Sequence, residues 1–513
     1  MDKAITGRCC NSSQLWLVIL NSFLLCSIFL CFDYSALSKT QDGLSDLVHN
    51  NENAVTTQIA KSHVDPKATA SGTNNTSSTL DRQHTDSCMG RYIYVHELPS
   101  RFNRDLLENC ESITPGTERN MCPYLVNWGL GPLVEDPDGI LLNQSWYSTN
   151  QFLLAVIFHY RMKNYRCLTR NSSLASGIYV PFYPGLEVSR YLWGANTSVR
   201  LRDQSALDLV KWLVQQPEWG KMLGRDHFLV AGRIAWDFRR KTDDESDWGS
   251  KLMFLPESNN ISMLAIESSC WNNDYAIPYP TCFHPSKESE VLEWQNKLRS
   301  RKRQYLFSFV GAPRPDLHDS VRGKVIGECL ASKNLCKLVE CNYGINGAIT
   351  CNNPVNVMKS FQDSVFCLQP RGDSYTRRSI FDAILAGCIP VFFHPGTAYV
   401  QYKWHLPKNY TKYSVFIPVR DAQDWKAGIN ETLLRIPEGR VLAMREEVIR
   451  LIPRIVYADP SARLENLEDA FDLAVEGILE RIDGVRGATR QGKDPSIGFA
   501  DGDDFKYTFS GYV

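Results

Sequence analysis

The chain has 513 residues, 43% hydrophobic and 11% aromatic, enough for two or three domains of ordinary size. Its formal net charge is -1. A nucleic-acid partner would show as a basic domain or stripe, so nucleic acid is set aside.

Residues 15–32, LWLVILNSFLLCSIFLCF, carry no charge and sit at the lower length limit for a spanning helix. Lys3 and Arg8 precede them, which puts the tail 1–14 in the cytosol. Ser35-Ala36-Leu37-Ser38 offers a weak cleavage site, but the run is long for a signal core. An uncleaved anchor is expected, and its shortness suits the thin membranes of the early secretory pathway, hence a single-pass Golgi protein. Residues 33–87 are polar and without apolar period, and they read as a disordered lumenal stem.

Eight glycosylation sequons follow the anchor, at Asn74, Asn75, Asn143, Asn171, Asn196, Asn260, Asn409 and Asn430. Of the 16 cysteines, Cys9, Cys10, Cys26 and Cys31 lie in or near the anchor. The other twelve run from Cys88 to Cys388, an even number that permits disulfides in an oxidising lumen. Cys329, Cys336, Cys341 and Cys351 suit two bridges. Cys367 and Cys388, inside apolar strands, read as buried free thiols. No paired C-x-x-C argues for zinc.

Folding begins near Cys88. Strands are expected at Tyr92 to His96, in GIYVPFYPG, in DHFLVAGR and in ISMLAIESS, with helices in NQFLLAVIFHYRMKNY and SALDLVKWLVQQPEWG. The polar helix EVLEWQNKLRSRKRQ suits a connection, so one domain spans 88–303 and a second 304–485. The second repeats strand and helix more cleanly: YLFSFVG, SVRGKVIGECLA, CKLVEC, PVNVMKSFQDS, VFCLQP, TRRSIFDAILAG, CIPVFF, SVFIP, then two closing helices. Residues 486–513 read as a disordered tail. The expected class is α/β, with two Rossmann-like, doubly wound domains facing a cleft at the carboxyl ends of their strands.

The chemistry concentrates in the second domain. VFCLQP runs into RGDSYT and then into a helix. Gly372 permits close backbone approach. Asp373, Ser374 and Thr376 are helix N-cap types. A helix N-terminus attracts phosphate, and Arg371, Arg377 and Arg378 add fork-shaped donors that match phosphate oxygens. Asp382, further along, suits ribose hydroxyls. A second strand–loop unit, YLFSFVGAPRP, offers Gly311 and Arg314, with Arg322 and Lys324 behind them. Two arginine loops in one sheet suit a diphosphate better than a solvated face with surface ion pairs. The tripeptide Arg371-Gly372-Asp373 also matches an adhesion motif, which would need an exposed loop. Asp136-Pro137-Asp138 and Asp501-Gly502-Asp503 have the letters of a metal motif but turn-like settings, so no metal is expected. Phe393, His394, Tyr399, Tyr402, Trp404 and His405 suit either sugar rings or an ordinary core.

GRYIYVHELPSRFN, WYSTNQF, HFLVAGRIAWDFRR, FSFVGAPRP and the long stretch from CLQPRGDSYTRR to YSVFIP resemble the plant exostosin-like glycosyltransferases, and most of all the xyloglucan galactosyltransferase type. The likeness covers about Cys88 to Gly477. It implies a two-domain GT-B fold and a Golgi type II enzyme, with possible complexes with other Golgi glycosyltransferases. The donor would be UDP-galactose and the acceptor the xylose side chains of xyloglucan, with inversion to a β-linkage and no cofactor. The family's donor-binding loop matches Arg371 to Asp382, so with the second arginine loop read above the donor would lie against Gly311, Arg314, Arg322, Arg371, Gly372, Asp373, Ser374, Arg377, Arg378, Ser379 and Asp382. Inversion needs one general base from the first half, where Glu267, His96 and Asp237 stand at strand ends. Sister readings are UDP-galacturonic acid or UDP-arabinose as donor, or a glycan-binding relative without turnover.

Overall fold

The computed structural model describes residues 86–115, 120–142, 145–193, 197–315, 320–341, 351–419 and 428–493. The expected cytosolic tail, the anchor, the stem up to residue 85 and the tail from 494 lie outside them. Among the described residues, no helix is long and apolar enough to cross a membrane. From Cys88 onward the chain is one compact unit that holds two five-stranded sheets.

The first sheet contains β1 (Tyr92–Val95), β2 (Ala175–Tyr179), β3 (His227–Val230), β4 (Ser262–Ala265) and β5 (Asp274–Ala276), side by side in chain order and parallel throughout. Its main helices are α1 (Leu154–Lys163), α2 (Pro184–Leu192) and α3 (Val199–Val214). Side chains alternate between faces along a strand. Accordingly Phe228 and Val230 join one apolar cluster, and Leu229 and Ala231 join another with Ala206, Leu209 and Leu213 of α3. Both faces are covered, as parallel sheets require. The strand order has no reversal, however, so this sheet departs from the doubly wound expectation. No apolar run marks β5, which has only three residues, begins with Asp274 and follows Asn272 and Asn273.

The second sheet follows α4 (Glu288–Ser300). It comprises β6 (Tyr305–Gly311), α5 (Arg322–Ala331), β7 (Cys336–Glu340), α6 (Pro354–Gln362), β8 (Ser364–Gln369), α7 (Arg378–Leu385), β9 (Ile389–Phe392) and β10 (Val415–Phe416). The order β10-β9-β8-β6-β7 reverses between β6 and β8. Crevices beyond the carboxyl ends of such strands are where open α/β sheets bind ligands. α7 packs by helical period: Ile380, Phe381, Ile384 and Leu385 are fully buried, each worth roughly 1.5–3 kcal/mol. It stops at Gly387, whose φ of 63° is left-handed, as a C-cap needs.

Two elements sit differently from the expected domain boundaries. α4 is no free connector: buried Trp294 donates through Nε1 to Leu385 O (2.8 Å), and Gln295 Nε2 donates to Ile449 O (2.8 Å), so it packs beneath the second sheet. The closing helices are α8 (Glu438–Arg450) and α9 (Ala470–Arg490). α9 returns to the first sheet, where a Cβ on Gly177 of β2 would fall 2.9 Å from Leu479. It also runs past the expected boundary at 486, and Arg486 Nη2 donates to Ser176 O (2.9 Å).

Five disulfides join Cys88–Cys167, Cys110–Cys122, Cys329–Cys336, Cys341–Cys351 and Cys367–Cys388. The last corrects the free-thiol expectation. β8 and β9 are adjacent, with Cys367 opposite Pro390, so Cys388 lies within bonding reach. That register is tertiary information, invisible to a reading that takes each strand alone. The bridge closes the β8–loop–α7 segment at its base. Cys282 is a buried cysteine outside these disulfides.

Candidate active site

The two arginine loops meet at the reversal between β6 and β8. Arg322, the first residue of α5, clamps them: Nε donates to Arg371 O (2.9 Å) and Nη1 to Ala312 O (2.8 Å). Arg314 Nε pairs with Asp373 Oδ1 at 2.9 Å. Desolvation acts to raise the Asp373 carboxyl, but Arg377, Arg314 and Arg322 outweigh it and hold it below its usual range. Ser379 Oγ donates to Gln369 Oε1 (2.6 Å), which fixes the start of α7 to the end of β8. Gly311 ends β6 beside Phe309 and Arg322. The Arg377 guanidinium lies directly on Gly372 and donates to Thr376 O (3.0 Å) and, at 3.4 Å, to Ser374 Oγ.

Two features of this corner are open to an anion. No side chain caps α7, so its first N–H groups and positive dipole end stay available. Arg371 has no carboxylate partner among the described residues, and its Nε is buried with no acceptor. Its guanidinium lies 5.1 Å over the Tyr375 ring, which stacks on His394 at 4.3 Å. Burial, helped by Arg371, pushes His394 down to about 4, so this imidazole is neutral.

Arg378 and Asp382 point elsewhere. Arg378 donates through Nη1 to Thr149 O (2.7 Å) and through Nη2 to Cys282 Sγ (2.6 Å), and its Nε lies 3.5 Å from Asp382 Oδ2. Burial pushes the Asp382 carboxyl up, against the pull of Arg378. These groups tie α7 to the segment around Thr149 and Cys282, and that use leaves little of either for a nucleotide.

The three base candidates part company. Glu267 stands just past β4, its carbonyl accepting from Ala235 N (2.9 Å). Its Oε2 accepts from Thr376 N (2.7 Å) and Thr376 Oγ1 (2.6 Å), so a carboxylate of the first sheet reaches the arginine loop of the second. Since the Thr376 hydroxyl proton is so engaged, Tyr279 OH is the donor in its 3.0 Å contact with Thr376 Oγ1. Glu267 Oε1 accepts from nothing among the described residues. The junction is braced by Ser268 N to Gln401 Oε1 (2.7 Å) and Tyr402 OH to Ile266 O (2.9 Å). Asp237 is committed on both oxygens, to Arg233 Nε (2.5 Å) and Trp248 Nε1 (2.7 Å). His96 is buried with its Nε2 3.2 Å from His227 Nε2 and packs edge-on to Trp212 of α3. Burial and then His227 push it down to about 4.

Other expectations resolve simply. Asp136 accepts from Ile140 N and Leu141 N, a turn, and Asp138 pairs with Lys359. Asp501 and Asp503 lie outside the described residues. Phe393, Tyr399, Tyr402 and His405 are buried core, and Trp404 stacks on Tyr275 at 5.1 Å, leaving only His394 beside the arginine loop. Sequence reasoning missed Tyr279, Gln401 and Tyr375. Tyr279 and Gln401 act across 97 and 133 positions of chain, and no local spacing signals that. Tyr375 stands in the loop itself, where a single aromatic residue among charged and hydroxyl residues gives no signal of its own.

Residues 87–432 match a family model described as the Exostosin GT47 domain. Among curated relatives, the probable xyloglucan galactosyltransferase GT14 of Arabidopsis thaliana is 61% identical over 512 residues, 99% of this chain and 95% of that protein. Xyloglucan galactosyltransferase MUR3 of the same plant is 54% identical over 430 residues, 84% of this chain and 68% of that protein. Its xyloglucan-specific galacturonosyltransferase 1 is 39% identical over 408 residues, 78% of this chain and 59% of that protein.

Proposed function

The chain belongs to the exostosin GT47 family, and from that premise we propose that it transfers galactose from UDP-galactose to xylose side chains of xyloglucan, with inversion. The two parallel sheets act as the halves of a GT-B type enzyme. Arg371 and the uncapped start of α7 hold the diphosphate, and Arg377, seated on Gly372, adds a second positive group. Arg322, Arg314 and Ser379 shape the loops that carry them. Glu267 is the general base. Its free Oε1 takes the proton of a xylose hydroxyl as that oxygen bonds to C1 of galactose, and the C1–O bond to the β-phosphate breaks. Charge developing on the departing UDP is met by fixed arginines and helix N–H groups, so turnover proceeds in chelator. The anchor holds the enzyme in the Golgi membrane with this unit in the lumen, beside other Golgi glycosyltransferases with which it forms complexes.

The observation that carries the reading is the Glu267–Thr376 contact, which sets a carboxylate against the anion corner. Glu267→Gln keeps an acceptor for Thr376 but cannot take a proton. Transfer should fall by about 10²–10⁴-fold, with UDP affinity unchanged. Wild-type turnover in this variant would remove Glu267 as the base. A second reading keeps the mechanism and changes the sugar to galacturonic acid, favoured by the 39% identical galacturonosyltransferase.

A further inference from the structure

A cavity of about 200 Å³ opens at the rim of the first sheet opposite Glu267. Its walls come from the segments that enter the strands. Arg225 lies just before β3, Asn260 just before β4, and Asn272 and Asn273 just before β5, while α9 supplies Arg481. The carboxyl ends of the same strands carry Glu267, so the cavity is separate from the site described above.

Its chemistry is amphipathic and lacks carboxylates. Trp271 lines it and is 44% exposed, its ring held edge-on to Phe254 at 5.6 Å and 5.4 Å from the Arg239 guanidinium. Asparagine amides offer donors and acceptors together. Arg481 donates through Nε to Tyr275 OH (2.6 Å), and its Nη1 is buried with no partner, a donor that lacks an acceptor. An indole face, amides and an unmatched donor suit a pyranose. Its C–H face packs on the ring, and its hydroxyls or acetamido oxygen meet the polar wall.

Asn260 is itself part of the wall and begins the sequon Asn260-Ile261-Ser262. Its Nδ2 donates to Leu223 O (2.8 Å), and a glycosylated amide nitrogen keeps the one hydrogen that this bond needs. We propose that the cavity seats the first N-acetylhexosamine of a glycan carried by Asn260, packed against Trp271. The chain arrives from a lipid-linked oligosaccharide diphosphate: the Nδ2–C1 bond forms, the C1–O bond to phosphate breaks, and the amide gives up a proton. The proposal rests on the lumenal placement proposed above.

The test expresses the full chain in glycosylating plant cells and digests it natively with a glycan-releasing amidase, reading each site by glycopeptide mass. Exposed Asn171 and Asn409 report lumenal placement, while Asn260 reports the cavity. The expectation is an occupied Asn260 released about tenfold more slowly than the other two, from roughly 1.4 kcal/mol of aromatic packing. Trp271→Ala should bring the three rates together, and Trp271→Phe, which keeps a ring, should retain part of the protection. Occupied Asn171 and Asn409 beside a bare Asn260, or equal release in the wild type, would overturn the proposal. If all three sites are bare, the lumenal placement fails and the proposal with it. In Asn260→Gln, a saturable change of tryptophan emission with xylosylated glucan oligosaccharide would assign the cavity to free glycan instead, again overturning the attached chain.

Discussion

Gly372→Ala asks whether the Arg377 guanidinium is placed for function. A Cβ at position 372 would lie 1.8 Å from Arg377 Nη2 and 2.4 Å from both Cζ and Nε. Non-bonded heavy atoms rest at about 3.5 Å, so the head group must move by roughly 1.5 Å. The backbone at Gly372 is not left-handed, so alanine brings no φ strain. What moves is the far end of a flexible, half-buried side chain, so stability should change by less than about 1 kcal/mol. Catalysis should not be so tolerant, because misplacing a charge-stabilising group by about 1 Å costs on the order of 10²-fold. The assay is kcat/KM for the sugar nucleotide, with melting temperature as the fold control and Arg377→Ala as the reference. A variant that acts through Arg377 is no worse in the double substitution than Arg377→Ala alone. Wild-type kcat/KM, or fully additive losses, would mean that the placement of Arg377 over Gly372 is not what supports turnover.

Arg371→Ala should weaken UDP binding by about 1.5–3 kcal/mol, the worth of a charge-assisted hydrogen bond, read by titration calorimetry, and unchanged affinity would move the diphosphate away from α7. Burial, reinforced by Asp469 and opposed by Arg161, raises Asp472 to about 7. A carboxyl raised in the folded state stabilises fully below its unfolded value of about 3.9 and loses that contribution as pH climbs through the folded value. Asp472→Asn should therefore melt higher than wild type at pH 8 and alike at pH 4, whereas a pH-independent difference would contradict the assignment. Replacing Cys367 and Cys388, 21 residues apart, by serine should cost about 3 kcal/mol by loop closure, measured by denaturant unfolding, and no loss would mean the bridge constrains nothing.

The second sheet was legible because β6 to β9 are largely apolar runs of four to seven residues set off by helices with plain caps such as Gly387 and Asn353. The first sheet was half legible: β5 is too short and polar, and strand order is not encoded in spacing. The site divides the same way. Arg371, Gly372 and Arg377 were visible as a loop between a strand and a helix, but side-chain direction was not. Arg378 and Asp382, one and five residues along, turn toward Thr149 and Cys282 because a helix rotates its faces every residue. Glu267 could be named from its strand end, yet nothing near it distinguished it from Asp237 or His96. The partners that do so, Thr376, Arg233 and His227, are supplied by the fold.

The proposed activity is defined by the sugar transferred and by the anomeric outcome of its transfer. The unit from Cys88 onward, secreted with its glycans, would be given xylosylated glucan oligosaccharide in chelator and, separately, UDP-galactose, UDP-galacturonic acid and UDP-arabinose. Product mass and anomeric configuration would be read. One β-linked hexose added from UDP-galactose is expected. Addition of a uronic acid or pentose instead, or no product from protein that still binds UDP, would contradict it.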